Sequence, residues 1–146
     1  MDIKLMKMGG KIMKDNKFEV SKSEKEWKEE LTENEFLVLR KKKTDPPFKN
    51  EYYTNKRNGI YKCAACRNKL FDSKDKYDSG SGWPSFIKPI NENAVKYQDD
   101  FKLPQKRTEV ICSRCGSHLG HLFNDGPKPT NKRYCINSTS LDFIEE

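Results

Sequence analysis

Five cysteines and two histidines carry most of the chemistry available to this 146-residue chain. Four of the cysteines form two C-x-x-C pairs, Cys63-Ala64-Ala65-Cys66 and Cys112-Ser113-Arg114-Cys115, each following a β-like run. Two such knuckles can bring four thiolates to one tetrahedral Zn²⁺ at ~2.3 Å per sulfur. With all four positions filled by protein, the site is structural and leaves no open position for metal catalysis. The spacer between the pairs is longer than a zinc finger's, and iron is the competing metal. Redox pairs and disulfides are the competing chemistries. A redox C-x-x-C belongs at the start of a helix in a βαβ setting, which the flanking β-like runs do not offer. Covalent haem attachment requires a histidine after the second cysteine, where Arg67 and Gly116 stand.

The fifth cysteine, Cys135, lies in Arg133-Tyr134-Cys135-Ile136-Asn137. Residues two apart share a strand face, so Arg133, Cys135 and Asn137 point one way and Tyr134 and Ile136 point to the core. A guanidinium beside a thiol favours the thiolate, the reactive form. A cysteine in a strand is more often structural than catalytic, and the histidines shift that balance. Both lie in His118-Leu119-Gly120-His121, just past the second knuckle, where a metal anchor makes a rigid platform. Imidazole titrates near neutrality and can deliver a proton where thiolate attack needs one. The alternatives are zinc ligation by His118 in place of a cysteine, or plain backbone hydrogen bonding.

The elements that must hold these groups are short. Ser23-Glu24-Lys25-Glu26 and Thr32-Glu33-Asn34-Glu35 fit capping boxes and predict two helices, the first with Trp27 and Leu31 as its buried side and the second with Phe36 and, one turn on, Leu39 or Arg40. Asp45-Pro46-Pro47 then ends helical structure. Beyond Glu51 turn markers alternate with short β-like runs, Gly59–Cys63 and Arg107–Cys112 among them. The expected fold is mainly β, with short helices preceding it. Residues 1–18 show no periodicity and read as a flexible tail, leaving 19–146 as one domain.

Only 34% of the chain is hydrophobic and 35% is charged, so the core is modest and something besides hydrophobic burial must hold the fold, metal being a candidate. The net charge of +7 allows an anionic partner, but acidic residues are interleaved with most basic runs, which reads as a solvated surface. No run reaches the ~20 apolar residues of a membrane helix, and the first seventeen residues lack a signal-peptide core. With an odd cysteine count, this predicts a cytoplasmic protein bound to neither membrane nor nucleic acid.

Several of these motifs together resemble the methionine sulfoxide reductase B family. The resemblance runs from about Ser21 to Phe143. It includes Lys22–Trp27, Thr44-Asp45-Pro46-Pro47-Phe48, both C-x-x-C pairs, Tyr77–Phe86 with its Gly80-Ser81-Gly82-Trp83-Pro84, and His118–His121. It ends with Asn124-Asp125-Gly126-Pro127 and Arg133–Ser138. The resemblance implies a sandwich-like body of two small antiparallel sheets with one structural zinc on Cys63, Cys66, Cys112 and Cys115. It implies reduction of the R epimer of methionine sulfoxide, mostly in proteins and peptides, as repair under oxidative stress by a monomer. Cys135 matches the nucleophile and Trp83 the wall against the substrate methyl group. His118, His121 and Asn137 match the polar side that meets the sulfoxide oxygen, and Arg133 a neighbour tuning Cys135.

One position departs from the pattern. Many members carry a second, recycling cysteine where this chain has Ser81. Attack would leave a Cys135 sulfenic acid with no free internal thiol, so thioredoxin or another external thiol must complete the cycle. Two other readings compete. One is a non-catalytic binding module on the same knuckles, which has no need of a polarised thiol. The other is a zinc ribbon for nucleic acid, suggested by Arg40-Lys41-Lys42-Lys43 but lacking a basic helix or a stacking sheet.

Overall fold

A computed structural model of the chain describes residues 18–146. Of the tail expected over residues 1–18, all but Phe18 lie outside the described residues. Both capping boxes form. In α1 (Glu24–Glu30) the Ser23 hydroxyl accepts from the Glu26 amide at 3.1 Å, and Glu26 accepts from the Ser23 amide at 2.8 Å. Thr32 and Glu35 repeat the exchange at 3.1 and 2.9 Å ahead of α2 (Glu33–Lys41). Trp27 is buried as its spacing predicts, and Phe36 and Leu39 are buried in α2, whereas Leu31 falls at the C-cap of α1 and is only half-buried. Lys42 in the left-handed region closes α2 before the prolines are reached.

The remainder is antiparallel β structure in two sheets. The smaller has the order β2-β1-β9, from β1 (Gly59–Cys63), β2 (Lys69–Asp72) and β9 (Leu141–Glu145). The larger has the order β3-β4-β8-β7-β6-β5. Its strands are β3 (Lys76–Tyr77), β4 (Ser85–Phe86), β5 (Val95–Asp100), β6 (Arg107–Cys112), β7 (His118–Phe123) and β8 (Arg133–Ile136). Aromatic side chains join the two sheets: Phe71 of β2 stacks on Phe86 of β4 at 4.3 Å, and Tyr61 of β1 meets Phe86 edge-on at 5.2 Å. The expected mainly-β, sandwich-like body behind two short helices is what forms. No helix among the described residues is long and apolar enough to cross a membrane.

Register aligns the chemistry. Ser85, Cys135, His121, Glu109 and Gln98 are successive partners across β4, β8, β7, β6 and β5, so their side chains share one face. Tyr134 and Ile136 turn to the core, as period-2 alternation predicts. One irregularity matters: Val110 pairs with Gly120 but Ile111 pairs with His118, leaving Leu119 as an extra residue in β7. Residues three apart in a regular strand face opposite sides. This bulge brings His118 and His121 to the same side, with ring centroids 5.4 Å apart.

Candidate active site

The four knuckle cysteines gather where the two sheets meet. Cys63 ends β1 and Cys112 ends β6, and each is followed by a tight turn in which the Arg67 or Gly116 amide returns to its carbonyl. Gly116 takes φ +76°, and a Cβ there would strike the Phe18 ring at 2.8 Å. The four sulfurs lie within 4.8 Å of one another, with Cys63–Cys115 at 3.8 Å and Cys66–Cys112 at 3.5 Å. A tetrahedron with ~2.3 Å metal–sulfur bonds has sulfur–sulfur edges of about 3.8 Å, so these residues can hold a metal ion of zinc's size. Asn68 Nδ2 donates to the Cys112 sulfur at 3.7 Å, and Ser117 Oγ lies 3.1 Å from that of Cys115. His118 stays outside this set, which removes its alternative as a ligand.

Cys135 lies on the far side of β7, in a cavity of about 270 Å³ whose lining includes Trp83, Arg107, His121, Phe123, Arg133 and Asn137. It stands directly opposite His121 in the neighbouring strand. Burial pushes the Cys135 thiol up, while Arg133 and the Ser81 hydroxyl pull it back. The guanidinium thus acts in the expected direction without prevailing. Part of its charge is committed to Asp125, in a two-point pair at 2.9 and 3.2 Å.

Each histidine is backed by a carboxylate. His121 Nε2 meets Asp100 Oδ2 at 2.8 Å, and Arg107 meets the same oxygen at 3.4 Å. Asp100 is drawn down to about 2 by that histidine contact and by the Lys102 amide. Burial holds His121 below the ordinary imidazole value against the opposing pull of Asp100. His118 is buried behind the cavity, with Nδ1 at 2.6 Å from Glu109. Glu109 is fully enclosed. Burial favours its neutral form, yet contacts from His118, Gln98 and Lys42 bring it down to about 2.

The other expected residues are also placed. Trp83 Nε1 donates to the Asp45 carbonyl at 2.8 Å, which fixes the indole as one wall of the cavity. Asn137 reaches the cavity, but its carbonyl oxygen accepts from the Asp45 amide and its amino group donates to the Leu119 carbonyl. Local spacing did not point to Asp100, Glu109, Arg107 or Phe123. Arg107 and Glu109 alternate in an evident strand, which was the available signal for a charged face.

Fold and site define a small antiparallel β protein with a four-cysteine cluster able to hold a metal ion and a separate cleft where a cysteine faces a histidine. The SelR domain family matches residues 31–145. The chain is 54% identical to the "Peptide methionine sulfoxide reductase MsrB" of Methanosarcina barkeri (strain Fusaro / DSM 804) over 127 residues, covering 87% of this chain and 89% of that protein. It is 52% identical to the protein of the same name from Leptospira interrogans serogroup Icterohaemorrhagiae serovar Lai over 129 residues, covering 88% of this chain and 98% of that one. For the Acinetobacter baylyi protein the figures are 50% over 122 residues, 84% and 88%. The chain belongs to the SelR-domain, or methionine sulfoxide reductase B, family.

Proposed function

We propose that this chain is an oxidoreductase acting on methionine sulfoxide, and that it reduces the R epimer in proteins and peptides with Cys135 as nucleophile. The observation that carries this reading is the placement of Cys135 opposite His121 across adjacent strands, with Trp83 on the wall of the same cavity. A sulfoxide sulfur carries one methyl group, one oxygen and the chain methylene. An apolar indole on one side and imidazole on the other distinguish methyl from oxygen, and with the direction of attack fixed they select one epimer.

The thiolate of Cys135 attacks the sulfoxide sulfur while His121, supported by Asp100, delivers a proton to the oxygen. His118 lies behind His121 and shares the donor role through the adjacent rings, and Asn137 orders the polar side. Net transfer of the oxygen releases the thioether and leaves a sulfenic acid on Cys135. Two electrons and two protons from an external thiol reductant such as thioredoxin then regenerate the thiol and release water. Arg133 favours the thiolate before attack. One zinc ion, held by Cys63, Cys66, Cys112 and Cys115, serves the structure. Residues 19–146 act as one catalytic domain, a cytoplasmic monomer repairing proteins under oxidative stress.

The test is turnover of each epimer of a methionine sulfoxide peptide with dithiothreitol as reductant. Thioether formation from the R epimer alone is expected. Turnover of the S epimer alone, or of neither, contradicts the reading.

A further inference from the structure

Helix α2 ends on a residue that its backbone does not favour. Lys42 sits at the C-cap with φ 65° and ψ 28°, a left-handed conformation usually left to glycine because a Cβ is crowded there. A glycine, however, could not do what this side chain does. The Lys42 ammonium reaches from the surface to Glu109 Oε1 at 3.0 Å, on β6, where the Glu109 side chain is fully enclosed. Gln98 Nε2 on β5 donates to the same oxygen at 2.7 Å. An ammonium at that distance keeps the carboxylate ionised. An ionised carboxylate only accepts, so the 2.6 Å contact at Oε2 must be made by a proton on His118 Nδ1. Nε2 is then the nitrogen left free to exchange a proton. The ring so fixed stands edge-on to that of His121, with centroids 5.4 Å apart and planes at 66°, and His121 faces Cys135.

We propose that Lys42 and Glu109 are positioning residues that lock His118 in its Nδ1–H form and so brace His121 against Cys135. The inference rests on His121 and Cys135 being the reacting pair. It makes the end of a surface helix part of the active-site framework, through one contact from α2 to β6 and one from β6 to β7. Lys42 supplies the positive charge on this carboxylate. Without it, ionised Glu109 beside a neutral His118 would be a buried net charge, which burial opposes. The pair regains neutrality by taking one proton from solvent. That proton leaves either an imidazolium against the carboxylate or a carboxylic acid donating to Nδ1, and in both cases Nε2 carries a hydrogen. The other charged groups facing the two rings are Asp100 on His121 and Arg107 on Asp100, and substitution of Lys42 leaves both in place.

The experiment is long-range ¹⁵N–¹H NMR of the imidazoles in zinc-loaded protein, at mildly alkaline pH where an ordinary imidazole is neutral. The chain has two histidines, and His121→Gln tells their signals apart. The parent is expected to show His118 with hydrogen on Nδ1 and none on Nε2. Lys42→Met should put hydrogen on Nε2, and Lys42→Arg should keep the parental form. In dithiothreitol-driven turnover Lys42→Met should lower kcat about fivefold with KM unchanged, between the values for an exposed ion pair and for a hydrogen bond to a buried charge. Lys42→Arg should restore it. A parent His118 with a bare Nδ1 overturns the lock, as does a Lys42→Met spectrum identical to the parent's. An unmoved kcat in Lys42→Met, or a loss that Lys42→Arg fails to rescue, overturns the positioning role. The spectra are read without turnover, so the lock and the assigned activity fail separately.

Discussion

Burial acts on Cys135 and His121 in the same sense, favouring the neutral form of each; Arg133 opposes it at Cys135 and Asp100 opposes it at His121, whereas Asp125 and Arg107 respectively add to it. The reaction proposed needs both charged forms, a thiolate to attack and an imidazolium to protonate the leaving oxygen. Asp100 supports the second. Its carboxylate raises the His121 value that burial lowers, so removing it makes the imidazolium scarcer at any given pH. Asp100→Asn is therefore expected to slow turnover by about 10²-fold, the low end for a general acid, and to move the alkaline limb of kcat/KM to lower pH. An unmoved alkaline limb contradicts this role for His121. Cys135 and His121 were legible because the chain offers so few thiols and imidazoles. Asp100 was not, because it reaches His121 from β5, two strands away across β6. No local spacing reveals which strand becomes that neighbour.

At the level of elements, the decisive feature is one extra residue. Without Leu119 bulged out of β7, His118 and His121 would face opposite sides of the sheet. The close β7–β8 approach that sets His121 against Cys135 depends on Gly120, where a Cβ would stand 1.9 Å from the Cys135 carbonyl oxygen. Gly120→Ala must push the strands apart, an overpacking expected to cost about 3 kcal/mol or more. Thermal denaturation and turnover should both register it, and a variant with parental Tm and activity would show that strand separation does not matter. The helices were readable from their caps because a capping box is local. Strands β1 and β6 were readable because they alternate or flank a knuckle. Two-residue β3 and β4 present no period, and edge strand β5 exposes four consecutive residues, so its alternation is lost. The bulge leaves no mark in the sequence, since it arises from pairing with β6.

For the molecule as a whole, a metal held by the four cysteines would do what a modest core cannot. Cys63 belongs to the three-stranded sheet and Cys112 to the six-stranded one, so a metal bound there ties the two sheets together. Metal-coupled folding is worth an apparent ~10–16 kcal/mol in zinc-finger peptides, comparable to the whole stability of a domain. Elemental analysis should find one zinc per chain, and chelation or Cys63→Ser should unfold the sheets. A metal-free protein with unchanged Tm would refute that. The cavity that holds Cys135 is lined by none of these four cysteines, so four thiols can serve a metal while a fifth stays available to substrate. That division is tested most directly by adding one equivalent of R-sulfoxide to reduced, zinc-loaded protein without reductant, then applying a dimedone-type probe and peptide mass spectrometry. One equivalent of thioether is expected, with a labelled sulfenic acid on Cys135 alone, zinc retained, and neither product nor label in Cys135→Ser. A disulfide from Cys135 to Cys63, Cys66, Cys112 or Cys115 with zinc released, or thioether formed by Cys135→Ser, would overturn the division of roles among the five thiols.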